Sequence, residues 1–319
     1  MSTHRVEVVR IDRIEKHPNA DALGVVKVRG WTCCVKLGQF QEGDLAAYIE
    51  PDSCVDTSRP EFSFLGEHKR IKVRKLRGVV SQGLLVPAPA GAKAGDDVMA
   101  QLGVTHYDPP EPMTTGGDNE KPPEGYRPSY DVESFYRYAD AFVPGEEVVL
   151  TEKLHGTSAR YCWHDGRLYC GSRTAWKKED PASVWWKAVG KCPGIQTFCR
   201  AHPGMTLYGE VFGCVQDLTY GHEGGRVSFA GFDILDGDRW LNARDAMALA
   251  KDSGIPWVPL VGIHPFDKAL LALADGPSLV EGAGHAREGV VIKPVVERTH
   301  PEIGRVILKV VSNAYLERA

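Results

Sequence analysis

At 319 residues, with 43% hydrophobic and 25% charged residues and a formal net charge of -4, the chain is long enough for about two domains and has an ordinary soluble, globular make-up. No stretch approaches the roughly 18 uncharged apolar residues of a membrane span, and the N-terminus meets charged residues at once without a signal-peptide core, so a cytoplasmic protein is expected. Eight cysteines without a Cys-x-x-Cys pair, and histidines without a His-Glu-x-x-His pattern, point to reduced structural thiols rather than disulfides or a zinc cage.

Residues 6–14, 23–28, 31–35, 45–49, 70–73 and 83–86 read as short strands, separated by His17-Pro18-Asn19, Arg29-Gly30 and Glu42-Gly43-Asp44. Strands at this spacing favour a small all-β barrel or sandwich over residues 1–107. Its charge is uneven. Lys69, Arg70, Lys72, Arg74, Lys75, Arg77 and Lys93 fall between residues 68 and 93 with no Asp or Glu among them. Such a stripe is the electrostatic footprint of a polyanion. An edge strand guarded by lysines against aggregation carries the same pattern.

Across residues 108–128 the composition turns to Pro, Gly and acidic residues, which marks a linker. Beyond it, strands at 148–153, 159–163, 167–170, 205–212, 227–234, 257–263, 289–293 and 305–310 alternate with helices at 181–189, 243–253 and 268–274. Asn242 and Asp267 stand where helix N-caps belong, and Gly254 lies just past a helix end. Few helices among many strands argue for an α+β domain with antiparallel sheets over residues 129–319. No Gly-x-Gly-x-x-Gly or Walker-type loop is present, which argues against a Rossmann or P-loop nucleotide site.

The chemistry centres on Glu152-Lys153-Leu154-His155-Gly156-Thr157-Ser158, which follows the apolar run Val148, Val149, Leu150. A lysine where a buried strand meets a turn either snorkels to water or is held by a site, because burying an unpaired ammonium is costly. His155 offers a donor or acceptor near neutral pH, and Gly156 lets a bulky anion approach the backbone. Alone, the same run fits a surface lysine in a turn. Further polar residues interrupt the later strands: Arg173, Glu210, Phe232 beside Asp233, Glu288 and Lys293 at the ends of one run, and Lys309 among apolar neighbours.

Taken in order, Lys153-x-His155-Gly156, Arg173, Glu210, Phe232, Glu288 with Lys293, and Lys309 resemble the nucleotidyl motifs of the covalent lysyl-nucleotidyltransferase superfamily, which comprises ATP-dependent ligases and mRNA capping enzymes. Histidine at the third position is similar to the RNA ligase 2-like branch, whereas DNA ligases and capping enzymes usually carry aspartate there. The resemblance covers about residues 130–319. Residues 1–107 also resemble the N-terminal OB-fold module of one group of these RNA ligases, through Lys75-Leu76-Arg77-Gly78-Val79-Val80-Ser81-Gln82-Gly83. The segment His17-Pro18-Asn19-Ala20-Asp21 is similar to one in tRNA-binding OB domains.

The resemblance implies an OB-like barrel followed by a nucleotidyltransferase domain of ATP-grasp-like antiparallel sheets; a monomer is expected. Lys153 would attack the α-phosphate of ATP, pass AMP to an RNA 5′-phosphate, and leave a 3′-hydroxyl to displace it. Lys293 and Lys309 would hold the phosphates and lower the Lys153 pKa; one charge roughly 5 Å away at an effective dielectric near 20 contributes about 3 kcal/mol. Glu288, with Glu210 as a second carboxylate, would hold Mg²⁺ or Mn²⁺ through its water shell. Arg173 and Glu210 would meet the ribose, Phe232 would stack on adenine beside Glu152, and His155 would orient the departing pyrophosphate.

Two positions depart from the pattern. Ser158 stands where many RNA ligase 2-like enzymes have the asparagine that orders metal-bound water, and Ile307 stands where a second lysine is common. The chain ends ten residues after Lys309, too soon for a C-terminal OB domain, so the basic stripe Lys69, Arg70, Lys72, Arg74, Lys75 and Arg77 would supply the extra nucleic-acid affinity. The implied substrate is a nick in a duplex with RNA on the 3′-hydroxyl side, with broken tRNA or a single-stranded end as alternatives. A capping guanylyltransferase or a DNA ligase is disfavoured by His155. A nonenzymatic RNA-binding protein is disfavoured because the motif lysines and glutamates are present.

Overall fold

In the computed structural model, which describes residues 4–107 and 118–318, the chain divides into two units: residues 4–107 with 315–318, and residues 118–314. Residues 108–117 of the expected linker lie outside the described residues. Asn119–Glu120, from its second half, is an edge strand of the second unit. Among the described residues no helix is long and apolar enough to cross a membrane.

The first unit is built from small antiparallel sheets. Glu7–Arg10, Leu45–Ile49 and Leu84–Pro87 form one, with Leu45–Ile49 central and covered on both faces. Ile14–Lys16, Leu23–Val28 and Trp31–Lys36 form another, in which Trp31, Cys33 and Val35 point inward. Val8, Ala47, Ile49, Phe62, Val86 and Leu102 make a core between the elements. The strand expected at 70–73 is a correction. Its apolar residues Ile71 and Val73 are buried between exposed Lys72 and Arg74, but its backbone bonds irregularly to residues 52–55. The regular pairing begins later, where Arg74–Leu76 folds back on Val79–Ser81.

In the second unit, a seven-stranded sheet runs in the order Asn119–Glu120, Trp176–Lys177, Arg167–Ser172, Thr157–His164, Met205–Gly213, Val227–Asp236, Arg239–Trp240. A five-stranded sheet runs in the order Glu133–Ser134, Leu308–Val311, Gly289–Pro294, Glu147–Glu152, Leu260–Pro265. Glu147–Glu152 has a partner on each side and buries Val148, Val149 and Leu150, which explains its unbroken apolar run. Phe135, Phe142 and Phe266 cluster against this sheet. Helices Val184–Lys191 and Gly194–Ala201 cover the larger sheet, placing Trp185, Ile195, Phe198 and Cys199 against Tyr161, Leu207 and Phe229. The second of these helices is not apparent from its short sequence, although Ile195, Phe198 and Cys199 recur at helical spacing.

Other elements differ locally. The run at 305–310 splits: Gly304–Arg305 pairs with Thr299–His300, and Leu308–Val311 enters the five-stranded sheet. The expected strand at 257–263 starts at Leu260, Trp257 making only a bridge to Gly231. Lys268–Ala274 is a 3₁₀ helix whose cap, Asp267, accepts from the Ala269 N–H. Asn242 precedes Ala243–Asp252 without capping it. Its side chain accepts from Glu297 N–H and donates to Asp245.

Gly209 sits at a register shift between Met205–Gly213 and Val227–Asp236, and a Cβ there would lie 2.3 Å from the Phe229 ring and 2.5 Å from the Ala230 carbonyl. Gly209→Ala is therefore expected to destabilise this unit by about 1–3 kcal/mol through overpacking. Chemical denaturation measures it, and a variant as stable as wild type would refute the contact.

Candidate active site

Lys153 follows the last residue of Glu147–Glu152, and its N–H still bonds the Gly289 carbonyl of the neighbouring strand at 2.9 Å. That register sets it beside Glu288, whose Oε1 lies 2.8 Å from the Lys153 ammonium. Four residues later the chain is in the other sheet. The crossing is tight: a Cβ on Gly156 would lie 2.1 Å from the Val211 carbonyl oxygen. Between them, the His155 N–H bonds the Tyr220 hydroxyl, its Nδ1 lies 3.2 Å from Glu288 Oε2, and its Nε2 lies 2.8 Å from Asp217 Oδ1.

The electrostatics correct one expectation. Burial would lower the Lys153 pKa, but Glu288 and Glu210 outweigh it, so the ammonium is raised above its ordinary value. Burial would likewise raise Glu288, yet Lys153 and His155 hold it well below the usual carboxylate range. Glu210 lacks so close a cation. Burial, reinforced by Glu288, pushes it up to about 8 despite Lys153 and the Gly156 N–H. Lys309 is lowered by burial and by Lys153.

Lys153 opens on a cavity lined from both sheets. Arg173, Glu210, Phe232, Lys293 and Lys309 all contribute to its wall. Apolar groups missed in the sequence, Met247, Trp257 and Val258, line it as well. Ile307 is part of the same wall, so the position without a lysine presents an apolar group instead. Arg173 pairs with Asp131. Glu152 is in the wall too, but its carboxylate is already engaged by the Ser278 hydroxyl and the Leu279 N–H, each at 2.6 Å. Ser158 lines the cavity, and its carbonyl accepts from the Trp185 indole at 3.1 Å.

Lys293 is placed differently from a lysine poised only for phosphate. It is buried and bonded to Asp233, which also takes a bidentate pair from Arg305 at 2.7 and 2.8 Å and a bond from the Tyr130 hydroxyl. Glu297 binds the same arginine and lies 3.4 Å from Lys293. The Arg305 guanidinium sits 4.1 Å from the Trp240 ring centroid. Asp233 was visible in sequence only as an acid inside a buried strand; Arg305 and Glu297 come from a hairpin whose contacts no local pattern reveals.

In the first unit the stripe is less uniform than its sequence. Arg70 bonds Asp52 at 2.6 and 3.0 Å and lies over the Tyr107 ring, and Lys75 bonds Glu317 at 2.8 Å. Lys69, Lys72, Arg74 and Arg77 are exposed.

Burial alone would raise the Asp233 pKa, but Arg305 and Lys293 hold it well below the usual range. Its stabilisation is therefore complete above the ordinary carboxylate pKa near 4 and is lost as pH falls further toward the folded value. Asp233→Ala, which strands two buried cations, is expected to cost about 3–5 kcal/mol near neutral pH, with the gap to wild type narrowing below about pH 4. Denaturation across pH tests both, and a gap that widens in acid would refute the assignment.

Comparison with known proteins identifies both units. The RNA ligase family model matches residues 146–311, and an OB-fold domain model matches residues 5–88. A comparison with curated protein sequences gave no significant match. Among solved structures, a variant of the Naegleria gruberi RNA ligase with AMP and Mn aligns at 26% identity and a TM-score of 0.84 over 98% of each chain. Another variant with ATP and Mn aligns at 27% and 0.82 over 98% of each, and the ligase with PPi at 27% and 0.82 over 99% of each. Variants of that ligase include one changed at a lysine and one at an aspartate two residues later. With just over half of its length matched by the family model, and both of its units aligned to one solved RNA ligase, this chain belongs to the RNA ligase family.

Proposed function

We propose that this RNA ligase joins a 3′-hydroxyl to a 5′-phosphate through AMP carried on Lys153, and that its substrate is a nick in a duplex with RNA on the 3′-hydroxyl side. The observation that carries the reading is Lys153 itself, lining a cavity whose wall combines an aromatic ring, a buried carboxylate and two further lysines. Structures of the aligned Naegleria ligase hold ATP, AMP and PPi, the co-substrate and products this scheme requires.

In the first step the Lys153 amine attacks the α-phosphorus of ATP, forming a P–N bond as the α–β P–O bond breaks and pyrophosphate leaves. A 5′-phosphate oxygen of the RNA then attacks the same phosphorus, and the lysine departs. Finally the 3′-hydroxyl attacks the activated 5′-phosphate, closing the phosphodiester as AMP leaves with the P–O bond pair. Only an unprotonated amine can begin this sequence. Burial and Lys309 favour loss of that proton, whereas Glu288 and Glu210 oppose it, so engaging the two carboxylates on a cation would release the amine.

Phe232, with Trp257 and Val258 in the same wall, supplies the flat apolar surface that adenine needs. Lys309 and Lys293 supply positive charge for the phosphates. Glu288 and Glu210 fit a hard divalent cation: both are oxygen donors, and Glu210, raised by burial with Glu288 adding to it, would regain its charge beside one. Mg²⁺ or Mn²⁺ bound there would neutralise phosphate charge.

Incubation with α-labelled ATP and a divalent cation, followed by denaturing electrophoresis, is expected to leave an acid-labile, alkali-stable label on wild type and none on Lys153→Ala. An unlabelled, correctly folded wild type whose lysine was not already adenylylated would overturn the reading. Phe232→Ala should raise the KM for ATP roughly tenfold, the loss of one ring stack of about 1.4 kcal/mol. Sealing of matched nicks with RNA or DNA at the 3′-hydroxyl tests the proposed strand preference, which equal rates would refute.

A further inference from the structure

The segment His17-Pro18-Asn19 takes no part in the chemistry above. We infer that His17 and Asn19 are positioning residues that lock Arg77 as a backbone-phosphate contact for the RNA being joined. This rests on the reading of the first unit as RNA-binding.

Arg74–Leu76 and Val79–Ser81 form a hairpin in which Leu76 pairs with Val79, leaving Arg77-Gly78 as a two-residue turn. Both turn residues have positive φ, 44° for Arg77 and 94° for Gly78. Tight hairpins with this geometry are usually met by Asn-Gly. A residue with a branched-off Cβ and a long side chain is an unfavourable occupant of the left-handed region. The turn therefore does not need an arginine for its own geometry, and something outside the hairpin must hold one there.

The holding contacts come from residues 17–19. His17, only 1% exposed, accepts the Asn19 N–H at its Nδ1 (3.0 Å), so its hydrogen is on Nε2 and is donated to the Leu76 carbonyl at 2.9 Å. The Asn19 amide donates to the next carbonyl, that of Arg77, also at 2.9 Å. Two consecutive carbonyls at the hairpin tip are thus tied to one segment far away in sequence. A Cβ on Gly78 would lie only 3.3 Å from the Asn19 amide nitrogen, so the clamp is seated closely on the turn.

What the clamp presents is an exposed arginine. Of the basic residues in the stripe, Arg70 and Lys75 already have carboxylate partners, whereas Lys72 and Arg74 alternate with buried Ile71 and Val73 and so face outward. No carboxylate occurs in sequence between residues 68 and 93. A guanidinium on a fixed backbone loses less freedom on binding than one on a loose loop, and its fork suits phosphate oxygens.

The test uses the full chain and a nicked duplex with an RNA 3′-hydroxyl strand, titrated by fluorescence anisotropy over a range of salt. Arg77→Ala is expected to weaken binding roughly fivefold and to reduce the slope of log K against log salt by about 1. Asn19→Ala should weaken binding in the same direction and flatten the slope, while the double variant is no weaker than Arg77→Ala alone. Asn19 is exposed, and an unchanged melting transition with unchanged labelling of Lys153 shows that the fold and the first chemical step are intact. If Arg74→Ala with Arg77→Ala changes neither affinity nor slope, the RNA-binding reading of this face fails and the inference with it. If Arg77→Ala weakens binding but Asn19→Ala does not, or if the two losses multiply, the clamp alone is overturned.

Discussion

A chain that must pass from one sheet to another within four residues is the constraint on which this site depends. Glu152 ends a strand of the five-stranded sheet and Thr157 begins one of the seven-stranded sheet. Lys153, Leu154, His155 and Gly156 make the crossing. Its first residue stays in register with Gly289, which delivers Glu288 to the lysine; its last presses against the Val211 carbonyl, which only a residue without Cβ allows. The same crossing brings Glu210, the neighbour of Val211, toward Lys153 from the opposite sheet. The spacing Lys-x-His-Gly is thus a packing requirement as well as a chemical one.

Charge is arranged to hold this junction before any substrate arrives. Lys153 and Glu288 stabilise each other's charged forms, and Glu210 is pushed toward neutrality by burial and by Glu288. Asp233, in the same wall, and Glu297 offset Lys293 and Arg305. Buried ions of this kind rarely add net stability over apolar packing. They do fix geometry, because each partner that moves leaves an uncompensated charge. The consequence is that Lys153 is held as an ammonium by its carboxylates, and the two further lysines of the cavity wall are not equivalent: Lys293 is bonded to Asp233, whereas Lys309 is lowered by burial and by Lys153.

Legibility in the sequence followed the range of the interactions. The strands Leu23–Val28 and Leu45–Ile49 match their apolar runs to the residue, because local propensity and burial agree there. The motif residues in the cavity wall could be named in advance because their order along the chain is itself a signal. Arg305, Glu297, Asp217 and Tyr220 could not, since each acts through a partner many residues away. The pattern at 70–73 misled for a related reason: alternation reports burial, and burial was right, but the ladder of hydrogen bonds that makes a strand is set by the facing segment. The sequence shows two further lysines that would lower Lys153, but not that Glu288 Oε1 lies 2.8 Å from its ammonium and raises it.

His155 deserves a different weight from the one its sequence position suggests. Its ring nitrogens face Glu288 and Asp217, and its N–H is held by Tyr220. All of these contacts belong to the crossing and its carboxylates, and none of them is a group that could distinguish a ribose from a deoxyribose. An aspartate at that position would place a third carboxylate beside Glu288 and Asp217, whereas a histidine lies between the two. The RNA assignment therefore rests on the family match and the domain pair. A preference for RNA on the 3′-hydroxyl strand would need groups that meet the sugar of that strand itself.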